Sequence, residues 1–158
     1  MPPVGLRRTQ SVAALFALRI EAVPGGGAIA GQLDADGVGT VLLAVDPGTG
    51  HLRATLGDGV RTATTTLPID HRDGAFHDVL VVIDRQTGVL RLLSDLGRAP
   101  VTSIVPIGDA VTTAPFTLGA SQVGLAAGHS LTFAALASGD VAGLALDDVA
   151  TGEFLADA

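Results

Sequence analysis

Residues 45–53 read VDPGTGHLR, and residues 83–91 return the same pattern as IDRQTGVLR. In both copies an aspartate and a Thr-Gly pair separate two apolar segments. An aspartate carboxylate accepts hydrogen bonds from the N–H groups of a turn, proline suits the first turn position, and glycine adopts the left-handed conformation that closes a bulged loop. The repeat therefore predicts two β-hairpins, each joining antiparallel neighbours. A looser third copy covers residues 146–155.

Outside the repeat, short β-branched and apolar segments alternate with turns rich in Gly, Pro and Asp, and no helical spacing of apolar residues is sustained. The first segment places Val12, Ala14, Phe16, Leu18 and Ile20 on one face of a strand. The predicted strands cover residues 12–20, 28–33, 41–45, 52–56, 60–67, 79–84, 89–93, 103–107, 115–118, 131–137 and 141–146. This pattern predicts an all-β chain, a two-sheet antiparallel β-sandwich of the jelly-roll type, in a single domain over residues 1–158.

With these hairpins placed, the order of features resembles the laminin-G-like superfamily of concanavalin-A-like sandwiches over residues 9–156. Residues 74–84, GAFHDVLVVID, are similar to the W-H-H-V-A-V-V-Y-D strand of that family. Residues 88–97, GVLRLLSDLG, resemble its G-x-L-x-L-Y-V-D-G strand, and residues 115–120, PFTLGA, resemble its P-L-x-I-G strand. The resemblance implies a concanavalin-A-like sandwich whose rim loops often bind sugars or calcium.

The sequence departs from this family pattern at its aromatic positions. Phe76 stands where tryptophan is usual, and Ile83 and Leu92 stand where tyrosine is usual. The whole chain has neither Trp nor Tyr. Its five phenylalanines mostly fall at strand positions, where we expect them in the core. The sequence therefore offers few aromatic side chains that could stack on a sugar.

Composition excludes several classes of partner. The net charge is −7, and the nine positive side chains are all arginine, scattered singly apart from Arg7 and Arg8. Binding to nucleic acid or to an anionic membrane requires a basic surface. We therefore expect no nucleic-acid partner and no membrane partner. Cysteine is absent, so cysteine nucleophiles and thiolate metal sites are excluded,.

An enzymatic role is not expected. Glycoside hydrolysis, the reaction most associated with such sandwiches, needs two opposed carboxylates about 5 to 10 Å apart. The chain has only two glutamates, Glu21 and Glu153, and its aspartate clusters lie in turns. No G-x-S-x-G nucleophile motif and no phosphate-binding loop is present.

The acidic turns hold the candidate binding residues. Asp34 and Asp36 in a D-A-D-G run are candidate calcium ligands, because calcium prefers several hard oxygens in a flexible loop,. Asp70, Arg72 and Asp73 form a second candidate cluster, and both clusters are candidates for binding a carbohydrate or a protein partner. Asp and Gly also make turns without any ligand, and that structural explanation covers the same residues. Apart from calcium, we expect no cofactor.

Two histidines adjoin the second cluster. His71 and His77 are spaced too widely for the usual zinc motifs,. Because His77 follows Phe76, which we expect to point inward, we expect His77 at the surface.

A domain of this size cannot hide so large an apolar fraction, 47% of its residues, in its own core,. We therefore expect protein partners, in a homo-oligomer or a lattice. The leading hypothesis is a non-catalytic structural or adhesion module, a virion subunit such as a capsid decoration or minor tail protein. The strong bias toward residues with GC-rich codons suggests a high-GC bacteriophage. The alternative is a lectin-like carbohydrate-binding module of a bacterial protein, extracellular or on the cell surface.

Overall fold

The computed structural model describes residues 6–20, 27–98, 100–114, 117–118 and 129–138, which form two antiparallel sheets. The strands are β1 (Val12–Ile20), β2 (Gly27–Leu33), β3 (Val38–Val45), β4 (Leu52–Asp58), β5 (Thr62–Leu67), β6 (Phe76–Asp84), β7 (Val89–Ser94), β8 (Gly97–Arg98), β9 (Thr102–Ser103), β10 (Thr117–Leu118) and β11 (His129–Ser138). The predicted all-β, two-sheet sandwich is confirmed. Within these residues, no helix has the length and apolar character needed to span a bilayer.

The first sheet has the strand order β11-β1-β6-β7-β8, and β9 also pairs with β7. The second sheet has the order β10-β2-β3-β4-β5. β1 lies between β6 and β11, both antiparallel to it and both distant in sequence. The first sheet therefore depends on non-local pairing, whereas β2 to β5 form a meander of sequential neighbours.

Both repeat copies form the predicted hairpins. β3 pairs with β4 across the turn of the first copy, and β6 pairs with β7 across the turn of the second. Gly50 and Gly88, the second glycine of the first copy and its counterpart, have φ values of 72° and 68°. These values lie in the left-handed region, which glycine enters without a steric penalty. The third copy, residues 146–155, lies outside the described residues.

One hydrophobic cluster joins the two sheets. The predicted inward face of β1 is confirmed, since its five alternating apolar residues are all at most 2% exposed. Opposite β1, the second sheet contributes Leu43, Leu52, Leu56 and Leu67 to the same cluster. Burial of these side chains away from water is the main force that holds the sheets together.

The prediction of a strand at residues 103–107 is mostly wrong. β9 contains only Thr102–Ser103, and the chain then turns, with the Ile107 N–H donating to the Ile104 carbonyl. Pro106 has no N–H to offer a neighbouring strand, which favours the turn.

The start of β5 and the short strand β8 also differ from the prediction. Val60 was placed at the start of a strand, but it lies in the turn before β5, where Asp58 accepts the N–H groups of Val60 and Arg61. The short strand β8 was not predicted. The strand predicted at residues 141–146 lies outside the described residues.

The start of β6 has the opposite orientation from the one expected. Phe76 is 57% exposed, and His77 is only 4% exposed. Side chains alternate across a strand, so His77 shares its face with Val79 and Val81, both of which lie in the core cluster,. The position of the buried valines determines this alternation, and it overrides the preference of the phenylalanine for the interior.

Candidate functional site

The turns of the sandwich collect at two opposite ends. The "Arg85 end" consists of the turns at residues 34–37, 58–61 and 85–88 with the segment 104–112, which hydrogen bonds connect. The "His77 end" consists of residues 46–51, 68–77 and 95–97, which are connected in the same way. β3 runs from one end to the other over eight residues, a distance of roughly 25 Å at about 3.3 Å per residue.

The predicted binding residues are divided between these ends. Asp34 and Asp36 lie at the Arg85 end, and Asp70, Arg72 and Asp73 lie at the His77 end. The two clusters therefore cannot contribute to one binding site.

The carboxylate of Asp34 accepts hydrogen bonds from its own turn and from Thr112. Its Oδ1 atom accepts the N–H groups of Asp36 and Val38 at 3.0 and 2.9 Å, and its Oδ2 atom accepts the Thr112 hydroxyl at 2.9 Å. The hydrogen bond from Val38, followed by that from Thr112, holds the pKa of Asp34 below its usual value. Among the residues that the structure describes, no group of three or more His, Asp or Glu side chains could hold a metal ion. Calcium binding at Asp34 and Asp36 stays a prediction.

Asp70 and Arg72 form a bidentate ion pair. Arg72 donates from Nε to Oδ1 and from Nη2 to Oδ2 of Asp70, both at 2.8 Å, and from Nη1 to the Pro47 carbonyl at 3.1 Å. The hydrogen bonds from Arg72 lower the pKa of Asp70 to about 2. A Cβ atom on Gly50 would overlap both side chains. The pair therefore packs onto the first hairpin turn and connects it with the following loop.

Asp73 belongs to a chain of polar groups that the sequence did not reveal. The buried His77 ring lies between two carboxylates, with Nε2 at 2.9 Å from Asp73 Oδ1 and Nδ1 at 3.1 Å from Asp95 Oδ1. Burial by itself would lower the pKa of His77, but the hydrogen bonds to Asp73 and Asp95 outweigh it and raise that pKa. The charged imidazolium is thus favoured at a position where the sequence predicted a surface residue.

The second histidine is fully buried beside the first. The rings of His71 and His77 are perpendicular, with their centroids 5.5 Å apart. His71 contacts the Ile69 carbonyl through Nδ1 at 2.8 Å and the Ser94 hydroxyl through Nε2 at 3.0 Å. Since a carbonyl only accepts, Nδ1 carries the proton and Nε2 accepts from Ser94 in the neutral ring. Burial lowers the pKa of His71, so the neutral form is the stable one.

A pocket of about 260 Å³ opens at the Arg85 end, and sequence reasoning missed it. Arg8 and Arg85 line it together with Ile104, Val105 and Ile107. The sequence did contain a signal, because Arg85 occupies the position in the second repeat copy that Pro47 occupies in the first. A guanidinium is not needed to form this turn, because the first copy forms the same turn with Pro47 at that position.

Three aspartates at these ends are unsuited to donating a proton in catalysis. Asp34, Asp46 and Asp58 each accept at least two backbone N–H groups, and these bonds hold the pKa of each side chain below its usual value. A general acid in glycoside hydrolysis requires the opposite shift. Glu21 and Glu153 lie outside the described residues. The described arrangement can bind, but these aspartates do not form a catalytic pair.

Comparison with solved structures supports the fold. The chain is similar to a structure of the mouse laminin alpha1 chain, domains LG4-5, with a TM-score of 0.54, 19% identity and coverage of 81% of this chain and 33% of that one. It is also similar to the binding domain of Paraclostridial Mosquitocidal Protein 1, with a TM-score of 0.60, 10% identity and coverage of 82% and 34%. The fold is thus a laminin-G-like, concanavalin-A-like β-sandwich. The chain spans about a third of the length of these solved chains.

No family profile matches the sequence, and no curated protein sequence matches it significantly.

Proposed function

We propose that this protein is a non-catalytic binding module that associates with further copies of itself through the Arg85 end. The observation that carries this proposal is the exposure of three valines at that end: Val60 is 88% exposed, Val105 is 65% exposed and Val111 is 49% exposed. Clustered exposed apolar side chains typically mark interaction surfaces.

The three valines lie on loops that contact one another. Arg61, next to Val60, donates through Nη1 to the Pro106 carbonyl, next to Val105. Thr112, next to Val111, donates to Asp34 in a third loop of the same end. A second copy would bury these valines together.

More specifically, we propose that the protein is a virion structural subunit of a high-GC bacteriophage, such as a capsid decoration or minor tail protein. The bias toward GC-rich codons supports the choice of source, and the apolar composition supports a role in an assembly. Mass spectrometry of purified particles tests this form. Detection of the chain in stoichiometric amount is expected, and its absence from particles would contradict the virion role.

The association is tested by light scattering over a range of protein concentrations. The wild-type chain is expected to form oligomers. A variant carrying Val60→Ser, Val105→Ser and Val111→Ser is expected to be monomeric. The matched control carries Phe76→Ser and Leu96→Ser, which remove exposed apolar side chains from the His77 end. If the wild-type chain stays monomeric, or if both variants behave alike, the Arg85 end is not the interface.

The alternative is a carbohydrate-binding module whose site lies at the His77 end. Phe76 favours it, because this exposed aromatic residue directly precedes His77 in β6, at the same end as the half-exposed carboxylate of Asp73. An aromatic face beside hydrogen-bonding groups is the usual arrangement for sugars. The likeness to a solved binding domain is compatible with this alternative. A glycan array with and without calcium tests it, with Phe76→Ala expected to remove any signal and Leu96→Ala expected to preserve it.

A further inference from the structure

The pocket at the Arg85 end combines cationic and aliphatic walls. It lies where the turn between β6 and β7 meets the segment after β9. Arg8 and Arg85 supply the positive charge, and Ile104, Val105 and Ile107 supply apolar surface. The volume of about 260 Å³ is enough for a small organic molecule. Such a lining suits a ligand with one charged group and a short apolar body.

Arg85 is a half-buried cation without a carboxylate in direct contact among the described residues. Its Nη1 and Nη2 atoms donate to the carbonyls of Ile107 and Gly108 at 3.0 and 2.9 Å. Its buried Nε atom has no hydrogen-bond partner within the described part of the chain. Carbonyl dipoles orient the guanidinium, but they place no opposite charge in contact with it. A partly buried charge in this state is unfavourable until an anion approaches.

The charged groups around Arg85 act in both directions. Burial lowers the pKa of Arg85 most, the charge of Asp109 opposes this shift, Arg8 adds to it, and Asp58 opposes it. Both carboxylates are engaged elsewhere. Asp58 accepts the N–H groups of Val60, Arg61 and Gly108. One oxygen of Asp109 accepts the Arg8 N–H. Two guanidinium groups therefore line the pocket while the neighbouring acids bind backbone groups.

We propose that this pocket binds a small organic anion, with its carboxylate at Arg8 and Arg85 and its aliphatic part against Ile104, Val105 and Ile107. Charge-assisted hydrogen bonds to guanidinium groups fix the orientation of a carboxylate. The adjoining apolar wall distinguishes an organic acid from an inorganic ion. The pocket shares Val105 with the proposed self-association surface, so a second copy bound there would compete with the ligand. The carbohydrate alternative lies at the opposite end and does not involve these residues.

The probe is butyrate, titrated into the ¹⁵N-labelled full chain at a protein concentration where light scattering shows the monomer, and followed by NMR at constant ionic strength. Shifts confined to the amides of Arg8, residues 85–88, Ile104, Val105 and Ile107 are expected, with a dissociation constant on the order of 1 mM, typical of a small fragment,. Butyramide has nearly the same shape without the charge, and inorganic phosphate has charge without the apolar body. Both are expected to bind at least several-fold more weakly. Equal binding of butyramide or of phosphate, or no binding of butyrate, would overturn the proposal.

The matched variants are Arg8→Gln and Arg7→Gln, which change the net charge equally. Arg8 lines the pocket and Arg7 does not, and both residues are exposed. We expect Arg8→Gln to weaken butyrate binding roughly tenfold, the effect of losing a hydrogen bond to a charged group. Arg7→Gln should leave it within about twofold. Equal losses in the two variants would indicate a diffuse charge effect and would refute a defined site. Arg85→Gln is less informative, because it also removes the bonds to Ile107 and Gly108.

Discussion

His77 has a carboxylate at each ring nitrogen and a buried imidazole as its neighbour. The two histidines respond to pH in opposite directions. The pKa of His77 is raised in the folded state, so its stabilising effect is complete below the unfolded value of about 6.5 and is lost as pH rises through the folded pKa,. The pKa of His71 is lowered, so stability from its neutral form is present above about 6.5 and is lost as pH falls through the folded pKa,.

A His77→Gln variant tests this assignment. The difference in unfolding free energy between wild type and variant should be largest at about pH 6 and should decrease toward pH 8, because only the wild type binds the extra proton. Urea unfolding at several pH values measures it. His51→Gln, which removes a histidine from the same end without touching the Asp73 and Asp95 contacts, is the control. A difference that does not change with pH would show that the imidazolium contributes nothing.

At the level of strands and turns, the two repeat copies share a turn but differ in their surroundings. Asp46 and Asp84 each accept two turn N–H groups and a threonine hydroxyl. Asp84 is only 1% exposed and also contacts the Ser11 hydroxyl, which accepts the Arg85 N–H. The second turn is thereby connected to the segment before β1, whereas Asp46 of the first turn is only partly buried and remains accessible to water.

Replacing the aspartates separately should reveal this difference. Asp84→Ala is expected to destabilise the protein by about 1 to 3 kcal/mol or more, since it leaves buried N–H and hydroxyl donors unsatisfied. Asp46→Ala should have a smaller effect, because water can replace the carboxylate. Chemical denaturation measures both, and Asp84→Asn, which keeps one acceptor oxygen, should recover part of the loss. A larger loss in Asp46→Ala would contradict the assigned roles.

At the scale of the whole molecule, both sheets contribute to one core cluster, and Phe16 is fully buried within it. A cavity in that cluster removes contacts from both sheets together. The sandwich should therefore lose stability as a unit, with no sheet persisting alone.

Phe16→Ala is expected to reduce the unfolding free energy by about 3 to 5 kcal/mol. At about 2 to 4 °C per kcal/mol for a chain of this length, the midpoint of thermal unfolding should fall by roughly 10 °C. Hydrogen exchange should show equal loss of protection in β6 of the first sheet and β4 of the second. Phe76→Ala, at an exposed position, should change stability by less than about 0.5 kcal/mol. Loss of protection in β6 alone would show that the sheets unfold separately.

Local patterns alone were sufficient to predict the two hairpins, the inward face of β1 and the all-β sandwich. These features depend on neighbours in sequence: an aspartate and a glycine at fixed spacing make a turn, and alternation makes one face apolar. The extra strand at residues 103–107 was predicted from β-branched residues without accounting for Pro106, which favours the turn after β9,.

Tertiary structure alone determined the inward orientation of His77, the separation of Asp34 from Asp70 and the pocket at Arg85. Each depends on partners far away in the chain, such as Asp95 for His77 and Ile107 for Arg85. Which acidic turns meet at one end depends on strand order, and which side chain points inward depends on the position of buried valines in the strand. The sequence by itself therefore determined the elements and their turns, because those are local. Packing of the two sheets decided which polar side chains are brought together, because that requires contacts between distant segments.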